Sequence, residues 1–527
     1  MSEFDIIIRN GTLIDGTGAE RRSALDIGIR ADRIEAIGDL AQAQGACDID
    51  ADGSIVAPGF VDVHNHTDGW LLKTPNLVAK TAQGFTTEVI MADGISYAPV
   101  DPSTRAEWIY YLRPLNALRF QDDRGWSELS EYMELVDGAS AQNAIAHIPY
   151  ANVRAMHSGW GRQVPDDYQM GAIKRDIARM MDQGAVGLST GIDYISQCFA
   201  STDELVEASA AMSPTRGLYV THVRYKKSTL EGVREAVEIG RRADVPVHIS
   251  HLKGTSPREI DEILSYIDDT ARQQVDFSFD VYPYLPGSTT LNFLLPYDVW
   301  EQGPLAVLGR LHNPQVRRAF ARSLADNDLS HIHIAWLPSL ENEEHIGKLL
   351  SEYVDEVGGE PEDVLSDLLI EENLAVLLVF HHGEDELVHP FLQHDCYMMG
   401  SDGIYFPPPH SRVHPRVYGS APRLLGPCVR DTELFSLEQA VRKLSGYPAE
   451  RFGLEDRGIL REGTFADVVI FDATTVCDRA TFEEPHQLPE GISTVLVNGI
   501  PVIQDGTAVQ DLPEPRPGRA LKRRGRC

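Results

Sequence analysis

Two histidines near residue 64 have the type and spacing needed to hold a metal ion. The segment Val61–His66 reads VDVHNH. Side chains two residues apart lie on the same side of a β-strand, so His64 and His66 are expected to point the same way. Neutral imidazoles on one face are natural ligands for zinc or a similar ion. The motif therefore predicts a metal site, with a pair of surface or core histidines as the alternative.

Four further residues of the same chemical type follow predicted strands. His222 ends the segment LYVTH, His251 ends PVHISH, and Asp402 follows CYMMGS. Asp93 follows the second strand in the segment MADG, where it is either a carboxylate ligand or a turn residue before a glycine. The carboxyl ends of parallel strands meet at one face of a barrel. We therefore expect these side chains to converge with His64 and His66.

This donor set indicates hydrolytic chemistry. Nitrogen and oxygen donors without paired thiolates suit one or two Zn²⁺ ions, or another divalent metal. Such an ion lowers the pKa of water and polarises a carbonyl group. Asp402 is placed to accept the proton of the water and to return it to a leaving amine. The expected reaction is hydrolysis of an amide-like C–N bond.

A competing motif is the segment Gly187–Gly191, which reads GLSTG. It matches the nucleophile elbow of serine hydrolases, with Ser189 as the nucleophile. A tight turn after the fourth strand is the preferred interpretation.

Polar residues near other predicted strand ends suggest an anionic substrate. Lys253 follows His251 by two residues, Arg416 lies downstream of Asp402, and Tyr282 and Ser288 follow another strand. Cations beside a metal favour a substrate that carries a carboxylate. A surface charge or an ion-pair partner is the alternative for each.

Alternating strands and helices must position these residues. Segment 230–243 has helical spacing between two strands, and this rhythm predicts parallel strands in a (β/α)₈ TIM barrel. The eight predicted strands are 59–66, 86–91, 143–148, 185–189, 218–222, 246–251, 277–282 and 396–400.

Both chain ends read as short strands with turns, and they predict one small β-sandwich. Asn10-Gly11 and Asn498-Gly499 are hairpin-turn signals. The predicted domains are a β-sandwich part at 1–57, a barrel at 58–455 with an insertion around 291–378, a second β-sandwich part at 456–512, and a flexible basic tail at 513–527.

Composition narrows the class of protein. Of the 527 residues, 79 are Asp or Glu and 47 are Lys or Arg, a formal charge of -32 that disfavours binding to nucleic acid or anionic membranes. The six cysteines are scattered, which is typical of a reducing, cytoplasmic location. The N-terminus resembles no signal peptide, and no apolar run is long enough for a membrane span.

Taken together, the motifs resemble the amidohydrolase superfamily and, more narrowly, the N-acyl-D-amino-acid deacylases (D-aminoacylases). The similarity covers most of the chain. The segments that carry it are PGFVDVHNH (58–66), GLSTG (187–191), THVR (221–224), HISHLK (248–253), YPYLPGSTTL (282–291), GSDG (400–403), HPRVYG (414–419) and a closing region near 448–472.

The resemblance implies a zinc-dependent deacylase with a (β/α)₈ barrel and a terminal β-sandwich. The family's metal ligands correspond to His64, His66, His222 and His251, and its catalytic aspartate corresponds to Asp402. Its contacts to the substrate carboxylate correspond to Lys253, Tyr282, Ser288 and Arg416.

The chain departs from the family pattern at three places. The family commonly has cysteine where this chain has Asp93, and Ser-Glu where it has Tyr225-Lys226. Tyr150 stands in the place of a family histidine, where its hydroxyl is expected to contact the reacting carbonyl.

The leading hypothesis is therefore metal-dependent deacylation of an N-acyl-D-amino acid or a similar small amide. Hydrolysis of a cyclic amide, a hydantoin or a urea is the second, and a barrel that has lost its chemistry is the third. Whether the chain forms a homo-oligomer stays open.

Overall fold

The computed structural model describes residues 2–524. Its strands, in chain order, are β1 (Phe4–Leu13), β2 (Arg22–Arg30), β3 (Arg33–Gly38), β4 (Gly45–Asp50), β5 (Ile55–Pro58), β6 (Phe60–Asp62), β7 (Phe85–Ile90), β8 (Asn143–Ala146), β9 (Ile148–Pro149), β10 (Gly187–Gly191), β11 (Leu218–His222), β12 (Val247–Ile249), β13 (Phe277–Val281), β14 (Gly287–Thr290), β15 (Ile332–Trp336), β16 (Leu377–Phe380), β17 (Tyr397–Met399), β18 (Val468–Phe471), β19 (Ile492–Val497), β20 (Ile500–Gln504) and β21 (Thr507–Ala508).

The α-helices lie mostly between the central strands. They are α1 (Trp70–Lys73), α2 (Val78–Thr81), α3 (Arg105–Asn116), α4 (Leu129–Val136), α5 (Tyr150–Ser158), α6 (Asp167–Gln183), α7 (Thr202–Ala210), α8 (Thr229–Ala243), α9 (Pro257–Tyr266), α10 (Arg272–Gln274), α11 (Pro304–Leu311), α12 (Pro314–Leu324), α13 (Leu350–Val357), α14 (Pro361–Glu371), α15 (His389–Gln393), α16 (Arg416–Arg423), α17 (Leu437–Leu444) and α18 (Gly446–Phe452). None of the helices within residues 2–524 is both long and apolar enough to cross a bilayer.

The central strands pair in parallel, and the α/β architecture predicted from the sequence is confirmed. Each of the eight predicted segments contains a strand. Pairing runs from β6 through β7 to β8, and from β9 through β10, β11, β12 and β13 to β17. The amide of Val63 donates to the carbonyl of Met399 at 3.4 Å, which links the two outer strands. This arrangement brings the carboxyl ends of the strands to one side of the molecule.

The helix α8, which connects β11 to β12, shows why helices form between the parallel strands. Apolar or small residues recur along it at helical spacing, and the buried ones include Val233, Ala236, Val237 and Ala243. The helix thereby buries one face against its neighbours and leaves charged residues in solvent.

One nine-stranded sheet takes its strands from both ends of the chain. β18 pairs with β5 in antiparallel orientation, and β5 pairs with β1 in parallel. The turn predicted at Asn498-Gly499 is confirmed, because Val497 pairs with Ile500 across it and both turn residues have positive φ.

The hairpin turn predicted at Asn10-Gly11 is wrong. β1 continues through both residues with an irregular register against β2. A Cβ at Gly11 would lie 2.5 Å from Cγ2 of Val56, so the glycine permits the close approach of a neighbouring strand rather than a reversal.

The C-terminal segment 513–524 also corrects the prediction of a flexible tail. The amide of Gly518 donates to Ser140, that of Leu521 to Ala144, and that of Arg523 to Gly184. Leu521 packs against a core cluster that contains Phe452. Backbone hydrogen bonds and apolar burial therefore hold this segment in place. The last three residues of the predicted tail, 525–527, lie outside the described part of the chain.

Candidate metal centre and substrate cleft

Six side chains from five separate strand ends gather at the carboxyl edge of the central strands. They are His64 and His66 after β6, Asp93 after β7, His222 at the end of β11, His251 after β12 and Asp402 after β17. All six are buried or nearly so. The convergence expected from their positions in the sequence is therefore present in the structure.

His64 and His66 face two carboxylates. The Nε2 atom of His64 lies 3.6 Å from Oδ1 of Asp93 and 3.7 Å from Oδ1 of Asp402. The Nε2 atom of His66 lies 3.3 Å from Oδ1 of Asp402 and 3.7 Å from Oδ2 of Asp93. The two oxygens of Asp93 thus face different histidines.

The other two histidines meet at the same place. Nε2 of His251 lies 3.8 Å from Oδ1 of Asp93 and 3.0 Å from Nδ1 of His222. Donor atoms of His64, Asp93 and His251 lie within 4.8 Å of one another, and so do those of His64, His66 and Asp402.

This donor set fits a divalent cation. Within residues 2–524, Nε2 of His64 and Oδ1 of Asp93 are buried and have no hydrogen-bond partner. A buried polar atom without a partner is costly unless an ion or a water satisfies it. Two such atoms directed at one small volume match the donors that zinc and its neighbours prefer.

Asp280, which the sequence analysis missed, supports two of the histidines from behind. It accepts a hydrogen bond from the backbone amide of His251 at 2.9 Å, and its Oδ2 lies 3.7 Å from Nδ1 of His64. Burial opposes its ionisation, but His64 and His248 hold the pKa of this carboxyl below its usual range. A carboxylate on the far nitrogen fixes which nitrogen of His64 faces the centre. An acidic residue inside the apolar strand segment FSFDVY was the available signal.

Neighbouring side chains keep the carboxylate of Asp402 charged and fix its orientation. One guanidinium nitrogen of Arg416 lies 2.9 Å from its Oδ2, while its Oδ1 faces His64 and His66. Burial opposes ionisation, yet Arg416 and His66 hold the pKa of Asp402 well below its usual range. The backbone amide of Asp402 donates to the carbonyl of His64 at 2.7 Å, which ties the two loops together.

A cleft of about 750 Å³ opens over these residues. Lys253, Tyr282 and Ser288 line it. The ammonium group of Lys253 lies 4.1 Å and the guanidinium of Arg416 lies 4.3 Å from the centre of the Tyr282 ring. Arg416 also donates to the carbonyl of Ser288 at 3.2 Å, so the four predicted substrate residues form one cluster beside Asp402.

Tyr150 is not part of this cleft, and its predicted contact with the substrate is wrong. The residue is buried at the start of α5, and its hydroxyl donates to Glu204 at 2.7 Å. Arg154 donates to the same carboxylate oxygen at 2.7 Å. The hydroxyl is therefore engaged in a buried polar cluster between helices.

Ser189 is not positioned as a nucleophile. It lies inside β10, where its hydroxyl donates to the carbonyl of Met91 at 2.7 Å and accepts from the amide of Gly94 at 3.2 Å. These two contacts hold the loop that carries Asp93. The GLSTG segment therefore shapes the metal centre and is not a nucleophile elbow.

Comparisons with known proteins show the family to which the chain belongs. A sequence model described as the Amidohydrolase family matches residues 49–280 and 394–503. The chain is 36% identical over 513 residues to a D-aminoacylase of Alcaligenes xylosoxydans xylosoxydans, covering 95% of each chain. It is 36% identical over 528 residues to the N-acyl-D-glutamate deacylase of the same organism, covering 99% of this chain and 97% of the relative.

A solved structure gives the same result in three dimensions. The N-acyl-D-glutamate deacylase from Bordetella bronchiseptica, complexed with zinc and a phosphonate inhibitor, superposes with a TM-score of 0.82 at 31% identity, over 99% of this chain and 100% of that one. The family match and the near-complete coverage of these relatives show that the chain belongs to the Amidohydrolase family, as its motifs predicted.

Proposed function

We propose that this protein is a metal-dependent hydrolase that deacylates N-acyl-D-amino acids or a similar carboxylate-bearing amide. The observation that carries the proposal is that two sets of possible metal ligands, which share His64, lie next to a cluster of cationic side chains beside Asp402. The first suits hydrolysis of a C–N bond, and the second suits a substrate with a carboxylate. The deacylase relatives support the same reaction.

The metal would be held by the six converging side chains. We assign His64, His66, Asp93, His222, His251 and Asp402 as its ligands, for one or two ions. Zinc is the proposed ion because the donors are nitrogen and oxygen atoms and because the solved deacylase was complexed with zinc. When bound, the metal supplies Lewis acidity toward water and an amide carbonyl.

Asp402 is the proposed general base and acid. Its charged carboxylate accepts a proton from the water that attacks the amide carbon, and a carbon–oxygen bond forms. The same carboxyl then delivers that proton to the nitrogen as the C–N bond breaks. Arg416 keeps Oδ2 fixed at 2.9 Å, so the carboxylate is directed before the substrate arrives.

Lys253, Tyr282, Ser288 and Arg416 are the proposed contacts for the substrate carboxylate. Among the described residues, Arg416 forms an ion pair with Asp402, and the ammonium group of Lys253 donates to the backbone carbonyls of Leu285 and Pro286 instead of to a carboxylate. A substrate carboxylate placed there would be paired by charge-assisted hydrogen bonds. Its α-carbon substituents would then extend into the cleft over apolar side chains such as Phe293 and Leu294.

We also propose how the two sets of strands are arranged. We infer that the eight parallel strands close into a (β/α)₈ barrel and that the sheet from both termini folds as a β-sandwich, as in the amidohydrolases the sequence resembles. The cytoplasmic location rests on the scattered cysteines.

A substrate panel tests the function. Purified protein is assayed with N-acetyl derivatives of D- and L-amino acids, with a hydantoin and with a urea, before and after treatment with a chelator. We expect release of the free D-amino acid, its loss after chelation, and its return when Zn²⁺ is added.

Asp402→Asn provides the matched control for the chemistry. The amide keeps the shape of the carboxylate but takes up no proton, so we expect turnover to fall by a factor of about 10²–10⁴. Full activity in the chelated protein, or in this variant, would refute the proposal. Cleavage of the hydantoin or the urea without deacylation would favour the alternative chemistry.

A further inference from the structure

The insertion between β13 and β17 reaches the metal centre through a series of polar contacts that begins at Tyr297. Tyr297, in the insertion, donates its hydroxyl to Oδ1 of Asp193 in a short hydrogen bond. Oδ2 of Asp193 lies 3.5 Å from Nε2 of His222. Asp193 is buried, and it belongs to the loop after β10 rather than to a strand end that carries a ligand.

These polar contacts reach His222 on the side away from the other donors. Nδ1 of His222 faces His251 at 3.0 Å, whereas Nε2 faces Asp193. A neutral imidazole carries one proton, and the nitrogen that bears it cannot bind a cation. Nε2 of His222 makes no hydrogen bond to the described residues, and Oδ2 of Asp193 is the carboxylate oxygen beside it. The negative charge of that carboxylate favours the proton on Nε2, which leaves the lone pair of Nδ1 directed at the centre.

Asp193 is itself held in place from two directions. The backbone amide of Lys226 donates to Oδ2 at 3.1 Å, and Tyr297 donates to Oδ1. The oxygen that faces His222 therefore has a fixed position.

A second contact joins the same part of the insertion to the loop after β11, which carries Lys226. The ammonium group of Lys226 donates to the carbonyl of Phe293 at 2.6 Å and lies 4.2 Å from the centre of its ring. It also lies 4.7 Å from the centre of the Tyr297 ring. Segment 293–297 is thus docked beside His222 by both a side-chain and a backbone contact.

We propose that Tyr297 and Asp193 are positioning residues for His222, and that docking of the insertion over the cleft and binding of the metal therefore strengthen each other. The inference rests on the proposed function, because it takes His222 as a metal ligand. Coupling of this kind is reciprocal, since an insertion that improves metal affinity must itself be stabilised by the metal to the same extent. Segment 293–297 also contributes Phe293 to the cleft wall, so loading of the metal would complete the substrate site.

Metal affinity is the first measurement. The full-length protein is stripped of metal, and its affinity for Zn²⁺ is measured by competition with a chromophoric chelator. Asp193→Asn removes the charge beside His222 with little change of shape, so we expect affinity to fall about 10–100-fold, as is usual when such a supporting partner is lost. Tyr297→Phe removes one hydroxyl and is expected to cause a smaller loss of the same sign.

Tyr284→Phe is the matched control. Tyr284 also donates to a carboxylate, Asp478 at 3.1 Å, but that carboxylate contacts no metal-ligand histidine among the described residues. The affinity of this variant for Zn²⁺ should equal that of the wild type. A loss of equal size in this variant would mean that any buried tyrosine hydroxyl matters in the same way, and it would overturn the inference.

Hydrogen exchange of residues 293–300 is the second measurement. In the wild type, Zn²⁺ should slow exchange in this segment, and in Tyr297→Phe the zinc-dependent protection should be lost or strongly reduced. A purely structural role would change exchange equally with and without zinc. Unchanged zinc affinity and unchanged protection in Asp193→Asn and Tyr297→Phe would overturn the inference alone, whereas a wild-type protein that bound no divalent cation would overturn the proposed function with it.

Discussion

A buried carboxyl near the metal centre should make stability depend strongly on pH. Glu88, in β7, is fully buried beside Lys80 and Thr67. The Nζ atom of Lys80 is 3.8 Å away and pairs more closely with Asp62. Burial, only partly offset by Lys80, raises the pKa of Glu88 from 4.5 to about 8.

The size and direction of the effect follow from this shift. Below pH 4.5 the carboxyl is protonated in both the folded and the unfolded chain. As the pH rises toward 8, the unfolded chain ionises at Glu88 while the folded chain keeps its proton, so the free energy of unfolding falls. At about 1.4 kcal/mol per pKa unit, the loss amounts to about 5 kcal/mol.

Glu88→Gln tests this reasoning, because the amide stays neutral at every pH in the window. Urea unfolding of wild type and variant at pH 5, 6.5 and 8.5 gives the difference between their free energies of unfolding. We expect that difference to move in favour of the variant by about 4 kcal/mol between pH 5 and pH 8.5, because part of the full loss has already occurred at pH 5. Glu134→Gln, at an exposed position of α4, should leave the pH dependence unchanged. Parallel curves for wild type and Glu88→Gln would refute the reasoning.

Three further outcomes are expected. Tyr150→Phe should leave KM and kcat within about two-fold of the wild type while the free energy of unfolding falls by about 1–3 kcal/mol, because the lost hydroxyl serves Glu204 and not the substrate. Ser189→Ala should retain deacylase turnover in the presence of excess Zn²⁺, where removal of a true nucleophile would cost a factor of about 10⁶. Truncation after residue 512 should lower the thermal unfolding temperature, measured by calorimetry, because it uncovers the cluster around Phe452 that Leu521 protects.

The parts of the molecule that the sequence predicted are those governed by local pattern. Alternation of apolar strands and amphipathic helices placed the eight central segments, and the rule that parallel strands end at one face brought His64, His222 and His251 together before any distance was known. The resemblance to the deacylases depended on the same strand-end motifs. Both predictions needed only residue types within a few positions of each other.

The failures are contacts between distant segments. Asn10-Gly11 has the composition of a turn, yet Val56 from another strand requires the glycine. The tail after residue 512 reads as solvated because of its charge, yet its backbone pairs beside β8. Tyr150 aligns with a family histidine, but Glu204, 54 residues away, determines where its hydroxyl goes. No local pattern carries this information.

The backbone at the metal centre explains why the supporting residues matter as much as the ligands. Asp93, His251 and Asp402 all have positive φ, at 56°, 36° and 48°. Such conformations cost about 1–3 kcal/mol each for residues other than glycine and persist only where neighbouring groups enforce them.

Each of these three positions has its own enforcing contact. Ser189 bonds to both sides of the Asp93 loop, Asp280 accepts from the amide of His251, and the carbonyl of His64 accepts from the amide of Asp402. The GLSTG segment also approaches closely, since a Cβ at Gly191 would lie 2.5 Å from the carbonyl oxygen of Asp93. Asp93, His251 and Asp402 therefore keep strained backbone conformations because neighbouring groups hold them there. Substitution of a supporting side chain such as Ser189 or Asp280 should change metal affinity although neither residue is a ligand.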